Sequence, residues 1–573
     1  MCGICGVLSN KLDGSIYQDN VSKMVNSMLD RGPDNSSILM FNGYVFGHTR
    51  LAIMDPGSNL ANQPIENSNW ILVFNGEIYN YKSIRQSLKK KGYIFYSDSD
   101  TEVLLNAIDC YGVKKTLKKI NGIFAFAAFR KKTKKTYLVR DRLGIKPLYV
   151  HVSGKDAIYF ASTPAAIAKS IDKTWDIDYQ SVLSFLHLGS ANTLSTFFKT
   201  IEKVRPAECI TIDADLKISR ERYWKPEYKE LNIEDEVERI IKLEKEAHVE
   251  SAVFLSGGVD SSLMASILKD IDGFHLSSPE ELYANNVAEH LDISLHIKNY
   301  DNSVSFDDLL QAYSKSSGEA SASSPIPMMV SDLISKSGFK VAFSANGADE
   351  LFFGYDRTVS PGLKAENQSA LWYENNSFIT KNEQIQHIFR DLNSFKISRM
   401  KSKNTLNDLM KAYSLVDLDE GFSECAQSRW FEIQTYIQGD LNPTLDFSSM
   451  HSSLEVRVPF LNYELVEAAL SIDCNQMISC DYGRKTPLKR MLKKRGFNPV
   501  LWSRKKLGFS IKDEILQKRD EDLRIHLDEL SERGVFEFNL NNIDARDHIY
   551  LKSAAHALNV WMREWVDTGK VAL

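Results

Sequence analysis

A cysteine at position 2 is the first residue whose type and place in this sequence indicate chemistry. If Met1 is removed, Cys2 carries both a thiol and a free α-amine, whose pKa is about 7.7–8.0 in model compounds. Such an amine can take the thiol proton near neutral pH, directly or through water, which is the arrangement of an N-terminal nucleophile. The thiolate would then attack a side-chain amide such as that of glutamine, which gives a thioester and free ammonia.

Further residues could serve the same reaction. Attack on an amide creates an oxyanion, and Asn75-Gly76 offers an amide side chain beside a backbone N–H that no Cβ obstructs. Arg50 suits the α-carboxylate of a glutamine substrate through a forked contact. Glu77 and Asp100 suit its α-amine, because each supplies a negative charge.

Each of these features has a simpler explanation when it is taken alone. Cys2 and Cys5 form a CxxC pair, but a zinc site would need a second pair, and no thioredoxin-like strand precedes this one. Asn75-Gly76 is also a common hairpin turn. A cysteine at position 2 is inert in most proteins.

A second chemical centre is the glycine loop Ser256-Gly257-Gly258-Val259-Asp260-Ser261-Ser262, which follows an apolar strand and precedes a helix. Glycines let backbone N–H groups approach a phosphate, and the helix N-terminus adds a positive end. The loop lacks the Lys-Ser/Thr ending of a Walker A motif. Its Asp260 is explained if it holds Mg²⁺ on nucleotide phosphates, with Asp349, after a second apolar strand, as the partner carboxylate.

Lys485 is the candidate cation for this second centre. It could neutralise charge that develops on the α-phosphate and the leaving pyrophosphate. It lies in a basic stretch with Arg484, Lys489 and Arg490, so a solvated surface lysine is the alternative.

The elements that must position these residues fall into two regions. Residues 2–210 read as short strands and two helices, Val21–Asp30 and Asp100–Tyr111, which indicates an α+β sandwich. Prolines and a charged stretch place a linker at residues 211–235. In residues 236–573 the order strand, glycine loop, helix, strand predicts a parallel α/β sheet that binds ligands at the carboxyl ends of its strands, followed by a helical C-terminal part.

Composition excludes several classes of function. The chain has 573 residues and a net charge of -5, which gives no basic field for nucleic acid. Its apolar runs are far shorter than the roughly 20 residues needed to cross a bilayer. The N-terminus lacks the features of a signal peptide, so a cytoplasmic protein is expected. Seven scattered cysteines imply no disulfide framework.

Taken together and in order, the motifs resemble the glutamine-hydrolysing asparagine synthetase family of class II amidotransferases. The resemblance covers nearly the whole chain and rests on several segments: Met1–Ile4, Arg31–Asp34, His48–Leu51, Phe74–Asn80, Arg140–Tyr149, Leu255–Ser262, Ser344–Tyr355 and Ser453–Leu461. It implies an N-terminal-nucleophile fold of stacked antiparallel sheets, followed by an adenine-nucleotide α-hydrolase-like, Rossmann-type domain. It also implies a glutaminase domain in front, an ATP-dependent synthetase domain behind, and a homodimer.

The resemblance also implies site residues and cofactors. Cys2 would be the nucleophile, Asn75 and Gly76 the oxyanion donors, and Lys485 the residue at the phosphates. Glutamine would be bound by Arg50, Leu51, Ile53, Asn75, Glu77 and Asp100. ATP would be bound by Leu255, Ser256, Gly257, Gly258, Asp260, Ser261, Leu276, Ser344 and Ala345, and Mg²⁺ by Asp260 and Asp349. An acceptor carboxylate would be adenylated with release of pyrophosphate, and ammonia arriving through an internal tunnel would displace AMP.

One departure from the family pattern concerns the acceptor. The sequence reads Ser344-Ala345-Asn346-Gly347, where the family carries Ser-Gly-Glu-Gly. Asn346 is neutral and cannot pair a substrate amine, so the acceptor could lack the α-amine of aspartate. Aspartate, giving asparagine, is the default expectation. The close alternative is an asparagine-synthetase-like enzyme that amidates another carboxylate, such as a uronic acid of a surface polysaccharide.

Two other classes of function remain alternatives. A non-enzymatic pseudo-amidotransferase would release no glutamate from glutamine. A cyclase of the β-lactam synthetase type would use the same adenylation with an internal amine. Intact Cys2 argues against the cyclase, since an abandoned glutaminase site has no reason to keep its nucleophile and its substrate clamps together.

Overall fold

The computed structural model describes residues 2–11, 14–189, 194–299, 305–355, 418–419, 421–504, 525–526, 529–530, 532–533 and 549–572. Among these residues no helix is long and apolar enough to cross a membrane.

The front half of the chain is built on two stacked antiparallel sheets. Its strands are β1 (Gly3–Ser9), β2 (Asn35–Phe41), β3 (Tyr44–Arg50), β4 (Ile65–Glu66), β5 (Trp70–Ile78), β6 (Gly122–Arg130), β7 (Lys135–Arg140), β8 (Tyr149–Ser153), β9 (Ala157–Ala161), β10 (Trp175–Asp176), β11 (Ile201–Lys203), β12 (Glu208–Ile212) and β13 (Ile218–Arg222). One sheet has the order β11-β8-β9-β1-β3-β2 and the other β13-β12-β7-β6-β5-β4. This is the predicted sandwich of an N-terminal-nucleophile fold.

Alternation of side chains along the strands explains the stacking. On β1, Ile4 and Leu8 point into the core between the sheets, where they meet Ile71 and Val73 of β5. Cys5 of β1 belongs to the opposite face, which packs under helix Ser15–Asn26. Successive residues of a strand face opposite sides, so both faces of these central strands are apolar because both are covered.

Helices cover the outer faces of both sheets. In the front half they are Ser15–Asn26, Tyr81–Lys89, Asp100–Tyr111, Val113–Leu117, Pro164–Ser170 and Tyr179–Leu188, with short 3₁₀ turns at Leu29–Arg31 and Asn59–Ala61. Helix Asp100–Tyr111 begins where Ser99 accepts a hydrogen bond from the Thr101 N–H, 3.1 Å away. It has the bounds that the sequence predicts.

The back half contains one parallel sheet. Its strands are β14 (Ser251–Phe254), β15 (Asp272–Leu276), β16 (Leu295–Lys298), β17 (Val341–Phe343) and β18 (Glu455–Arg457), in the order β16-β15-β14-β17-β18. Strand order reverses at β14, where the chain first runs outward to β16 and then returns to β17. This point is the switch at which doubly wound sheets bind ligands, and it confirms the Rossmann-type prediction.

Helices surround this sheet and form the C-terminal part. They are Ile233–Glu244, Val259–Leu268, Glu281–Leu291, Phe306–Ser317, Pro325–Lys336, Ala348–Leu351, Glu424–Glu432, the π-helical Ile433–Leu441, Asn442–His451, Tyr463–Leu470, Cys474–Met477, Thr486–Lys494, Val500–Ser503 and Ile549–Trp565, with a 3₁₀ turn at Pro459–Leu461. A last strand, β19 (Val571–Ala572), pairs with β10 and ties the end of the chain to the front half.

Three features differ from what the sequence suggests. The helix predicted at Val21–Asp30 instead spans Ser15–Asn26, and a separate 3₁₀ turn follows at Leu29–Arg31. Strand β13 pairs with β12 and extends the second front sheet to Arg222, so the sheet reaches into the stretch predicted as linker. A disulfide joins Cys425 and Cys474, whose Cα atoms are 6.3 Å apart. The spacing of the cysteines in the sequence gave no sign of this pair, because the two residues meet only through the packing of their helices.

Candidate active sites

Cys2 lies immediately before β1 and is 8% exposed. Its backbone N–H donates to Asn75 Oδ1 at 2.9 Å, and Arg31 Nε donates to its carbonyl at 3.3 Å. Burial raises the pKa of the Cys2 thiol, while the backbone N–H of Leu51 and the charge of Arg50 act in the opposite direction. The thiol therefore needs a base beside it, and a free amine on the same residue would supply one.

The two predicted oxyanion donors lie on β5. Asn75 is fully buried, and its Nδ2 has no hydrogen-bond partner among the described residues. Gly76 has a φ of +148°, and a Cβ there would lie 2.0 Å from the Ile123 carbonyl oxygen. A buried amide without a partner is costly, so Nδ2 is available to a ligand that brings an oxygen.

Arg50 ends β3 with its guanidinium held by loop 54–62. Its terminal nitrogens donate to the carbonyl oxygens of Ser58, Met54 and Asp55 and to Asn62 Oδ1, at 2.8–3.1 Å. The predicted forked contact to a substrate carboxylate is therefore taken by the protein in this arrangement. Among the described residues, the loop makes no hydrogen bond to Arg50 Nε, so Nε is the remaining donor of this side chain.

The two acidic residues assigned to the glutamine amine are buried neighbours. Asp100 Oδ2 accepts from the Ile78 N–H at 2.9 Å, and burial raises the pKa of this carboxyl to about 6. Burial, with the nearby charges of Asp100 and Glu455, raises the pKa of Glu77 well above its ordinary value. Glu77 Oε1 also lies 3.7 Å from Arg457 of the back half. Leu51 and Ile53 are buried beside Arg50.

The glycine loop lies between β14 and helix Val259–Leu268, as predicted. Gly257 has a φ of +72°, and a Cβ there would lie 2.5 Å from the backbone nitrogen of Ala284. Ser256 and Ser261 hold the loop closed through a contact of 2.9 Å between their hydroxyl oxygens. The turn thus brings the Gly258 end of the loop to the N-terminus of a helix, where anions are favoured.

Lys485 joins the two carboxylates of the second centre. Its Nζ lies 2.6 Å from Asp260 Oδ2 and also contacts Asp349 Oδ1. Burial alone would lower the pKa of Lys485, but the two carboxylates raise it above its ordinary value. Lys485 is 6% exposed, so the alternative of a solvated surface lysine is wrong.

The other predicted nucleotide residues lie at the same edge of the sheet. Leu255 follows β14, Leu276 ends β15, and Ser344 follows β17. These are carboxyl ends of adjacent parallel strands, so the side chains converge. Ser344 Oγ donates to Asn346 Oδ1 at 3.0 Å, and Ala345 lies between them in the loop.

Asp260 and Asp349 are suited to a divalent cation. Both offer carboxylate oxygens, the ligand type that Mg²⁺ prefers, and both already face one positive charge, that of Lys485. A second cluster of metal-type ligands, Asp307 with His526 and His556, is found in the described part of the C-terminal region. Arg563 already pairs with that aspartate at 3.3 Å.

Sequence reasoning missed one residue of the nucleotide loop. Arg504 NH2 donates to the Gly257 carbonyl at 3.1 Å, and NH1 pairs with Glu280 at 2.6 Å. The guanidinium also lies 3.7 Å from the Tyr283 ring centre. Arg504 opens a run of basic residues, and nothing in that local pattern distinguishes it from a surface arginine.

Comparison with known proteins agrees with this division into two sites. A glutamine amidotransferase domain model matches residues 1–224, and an asparagine synthase model matches residues 232–566. Asparagine synthetase [glutamine-hydrolyzing] 1 of Bacillus subtilis is 28% identical over 92% of this chain and 92% of its own length. Asparagine synthetase [glutamine-hydrolyzing] 3 of the same organism is 27% identical over 82% of this chain and 81% of its own length.

The fold and the matches together define a glutamine-dependent amidotransferase, in which an N-terminal-nucleophile domain is joined to a ligase domain. The chain belongs to the asparagine synthase family, whose domain model covers more than half of it.

Proposed function

We propose that this enzyme hydrolyses glutamine at Cys2 and passes the ammonia to a carboxylate that it has adenylated with ATP. The observation that carries the proposal is the unpartnered Asn75 Nδ2 beside Cys2. It is a buried donor placed where an attack by the thiolate would develop negative charge. The domain division that goes with this proposal lies between Arg222, the last residue of β13, and Ile233, the first of the next helix.

In the glutaminase half, the α-amine of Cys2 takes the thiol proton and the sulfur attacks the amide carbon of glutamine. Asn75 Nδ2 and the Gly76 N–H hold the oxyanion, and the proton passes to the departing ammonia. Water then cleaves the thioester to release glutamate. Arg50 Nε, Leu51 and Ile53 bind the substrate, with Glu77 and Asp100 at its amine.

In the synthetase half, the glycine loop and the helix start at Val259 bind the ATP phosphates, and Leu255, Leu276, Ser344 and Ala345 surround the nucleoside. Asp260 and Asp349 would hold Mg²⁺, which neutralises phosphate charge when it is bound. An acceptor oxygen attacks the α-phosphorus and pyrophosphate leaves, while Lys485 offsets the charge that builds on both. Ammonia then displaces AMP from the acyl-adenylate and forms the amide.

Asn75→Ala should lower kcat for glutamine hydrolysis by about 100- to 1,000-fold, as loss of one oxyanion donor does in other acyl-transfer enzymes. KM for glutamine should change little, since the donor acts on charge that exists only in the transition state. Glutamate release measures both values. Asn80→Ala, whose side chain donates instead to the Lys119 carbonyl, is the matched control and should behave as the parent. An unchanged kcat for Asn75→Ala would remove Asn75 from the reaction.

Aspartate is the proposed acceptor by default, because the curated relatives are called asparagine synthetases. An acceptor without an α-amine is the second candidate, and Asn346 favours it. This side chain is neutral and is held by Ser344, so no carboxylate stands there to meet an ammonium group. Pyrophosphate release with ATP, Mg²⁺, glutamine and a panel of carboxylates, which includes aspartate and uronic acids, decides between them.

Asn346→Glu should shift preference toward aspartate over acids that lack an amine, by about tenfold or more in the ratio of kcat/KM values. The added carboxylate can pair the α-ammonium group of aspartate, which an amine-free acid lacks. Competition between aspartate and an amine-free acid, followed by pyrophosphate release, measures the ratio. Asn346→Gln, which is similar in size but neutral, should not produce the shift. If both variants behave alike, the residue at position 346 does not recognise the α-amine of the acceptor.

A further inference from the structure

We infer that the segment Asp30–Asp34 is a clasp through which the back domain positions the nucleophile of the front domain. The inference rests on the proposed role of Cys2. Asp446 of the back domain forms an ion pair with Arg31, and Lys340 forms one with Asp34. Arg31 and Asp34 in turn contact the backbone on either side of the Cys2 sulfur. Glutamine hydrolysis then depends on charges in the other domain that touch neither glutamine nor ATP.

Arg31 forms the first arm of the clasp. Its Nε donates to the Cys2 carbonyl at 3.3 Å, and its NH1 pairs with Asp446 Oδ2 at 2.8 Å. Both side chains are almost fully buried, at 6% and 4% exposure. Lys146 lies 3.9 Å from the other oxygen of Asp446. Removing one partner of a buried ion pair leaves the other charge without compensation, so the direction of the guanidinium depends on Asp446.

Asp34 forms the second arm. Lys340 Nζ lies 2.9 Å and 2.8 Å from its two carboxylate oxygens, and one of these also accepts from the Ala52 N–H at 2.7 Å. Ala52 follows Leu51, whose own N–H acts on the Cys2 sulfur. The Asp34 N–H in turn donates to the Arg50 carbonyl at 3.0 Å. Asp34 therefore fixes the backbone that faces the thiol.

One back-domain partner, Lys340, lies beside a strand that also builds the nucleotide site. Lys340 directly precedes β17, whose carboxyl end leads to Ser344 and Asp349. The Lys340 carbonyl accepts from the Glu455 N–H of β18 at 2.9 Å. Ser453, just before β18, donates its hydroxyl to the Asp30 carbonyl at 2.6 Å. One end of the parallel sheet thus carries the nucleotide loop, and the other end contacts the clasp.

The contacts define positioning residues, because they touch the backbone around Cys2 and not the reacting atoms. A small displacement of a nucleophile from its attacking position lowers the rate without weakening substrate binding to the same extent. Loss of the clasp should therefore lower kcat of glutamine hydrolysis more than it raises KM. Synthesis from ammonia does not use Cys2 and should continue.

The test uses the full-length chain with Asp446→Asn or Lys340→Met. We expect kcat for glutamine hydrolysis to fall about 10- to 100-fold, with KM for glutamine little changed and ammonia-dependent pyrophosphate release equal to the parent. Lys340 is 36% exposed, so its replacement tests the clasp even if the buried Asp446 variant fails to fold. Lys340→Arg, which keeps the positive charge beside the Asp34 carboxylate, should keep most of kcat.

Lys82→Met is the control, since Lys82 pairs with Glu246 across the same domain boundary at 2.5 Å but away from Cys2. Parental kcat in a folded Lys340→Met protein would overturn the inference, and so would equal losses of glutamine- and ammonia-dependent activity. Failure of the proposed function is a separate result. It would show as glutamine hydrolysis that persists in Cys2→Ala.

Discussion

Cys2→Ala should abolish glutamine-dependent amide formation and leave ammonia-dependent formation at the parental rate. The sulfur is the only atom at this end of the proposed reaction that forms a bond with substrate, so alanine removes the thioester route altogether. The activated carboxylate is made elsewhere and accepts ammonia from solution. Glutamate release should fall to background while pyrophosphate release with ammonium salts at high pH, where free ammonia is present, stays unchanged.

Cys5→Ala is the matched control for this variant. Cys5 is a buried residue of β1, close in sequence to Cys2 and assigned no part in the reaction, so its loss should leave glutamine use intact. Mass spectrometry of the active enzyme should find Cys2 as the first residue. Full glutamine-dependent activity with Met1 still attached would contradict the role of the α-amine.

Lys485→Met should reduce pyrophosphate release by about 1,000-fold with either nitrogen source. Methionine keeps much of the length of lysine but removes the charge that Asp260 and Asp349 share. Two carboxylates would then face each other in a buried site without their organic cation, and the charge that develops on the departing pyrophosphate would lose its partner. Glutamate release from glutamine should remain.

Lys489→Met controls for the loss of a lysine from the same basic stretch, since Lys489 lies in the helix that Lys485 directly precedes. Lys489 is half-buried and donates to the Tyr482 carbonyl at 2.6 Å rather than to either carboxylate. It should keep nearly full pyrophosphate release. If Lys485→Met did so as well, Lys485 would be a structural residue that only separates Asp260 from Asp349.

Local features of both halves could be predicted from the sequence. Helix Asp100–Tyr111 has a capping serine and an apolar face, and both signals lie within its own residues. The strand before the glycine loop and the helix after it are likewise local patterns, so the parallel sheet and its binding edge follow from them. Residues that lie close together in the sequence determine these features.

Contacts between distant residues could not be predicted in the same way. The basic stretch around Lys485 reads as surface, and only the folded chain brings it to Asp260. Arg50 was expected to present its fork to substrate, but the carbonyl oxygens of loop 54–62 take it. The pairing of Arg31 with Asp446 crosses two domains and follows no periodicity that a sequence displays.

The place of β1 in its sheet has a consequence for catalysis. The ends of polypeptides ordinarily fray, and a reactive group attached there would be poorly aimed. Here the first strand is hydrogen-bonded along one edge to β3 and along the other to β9. Cys2 can thus be terminal in the covalent sense and still be as rigid as a residue in the middle of a fold.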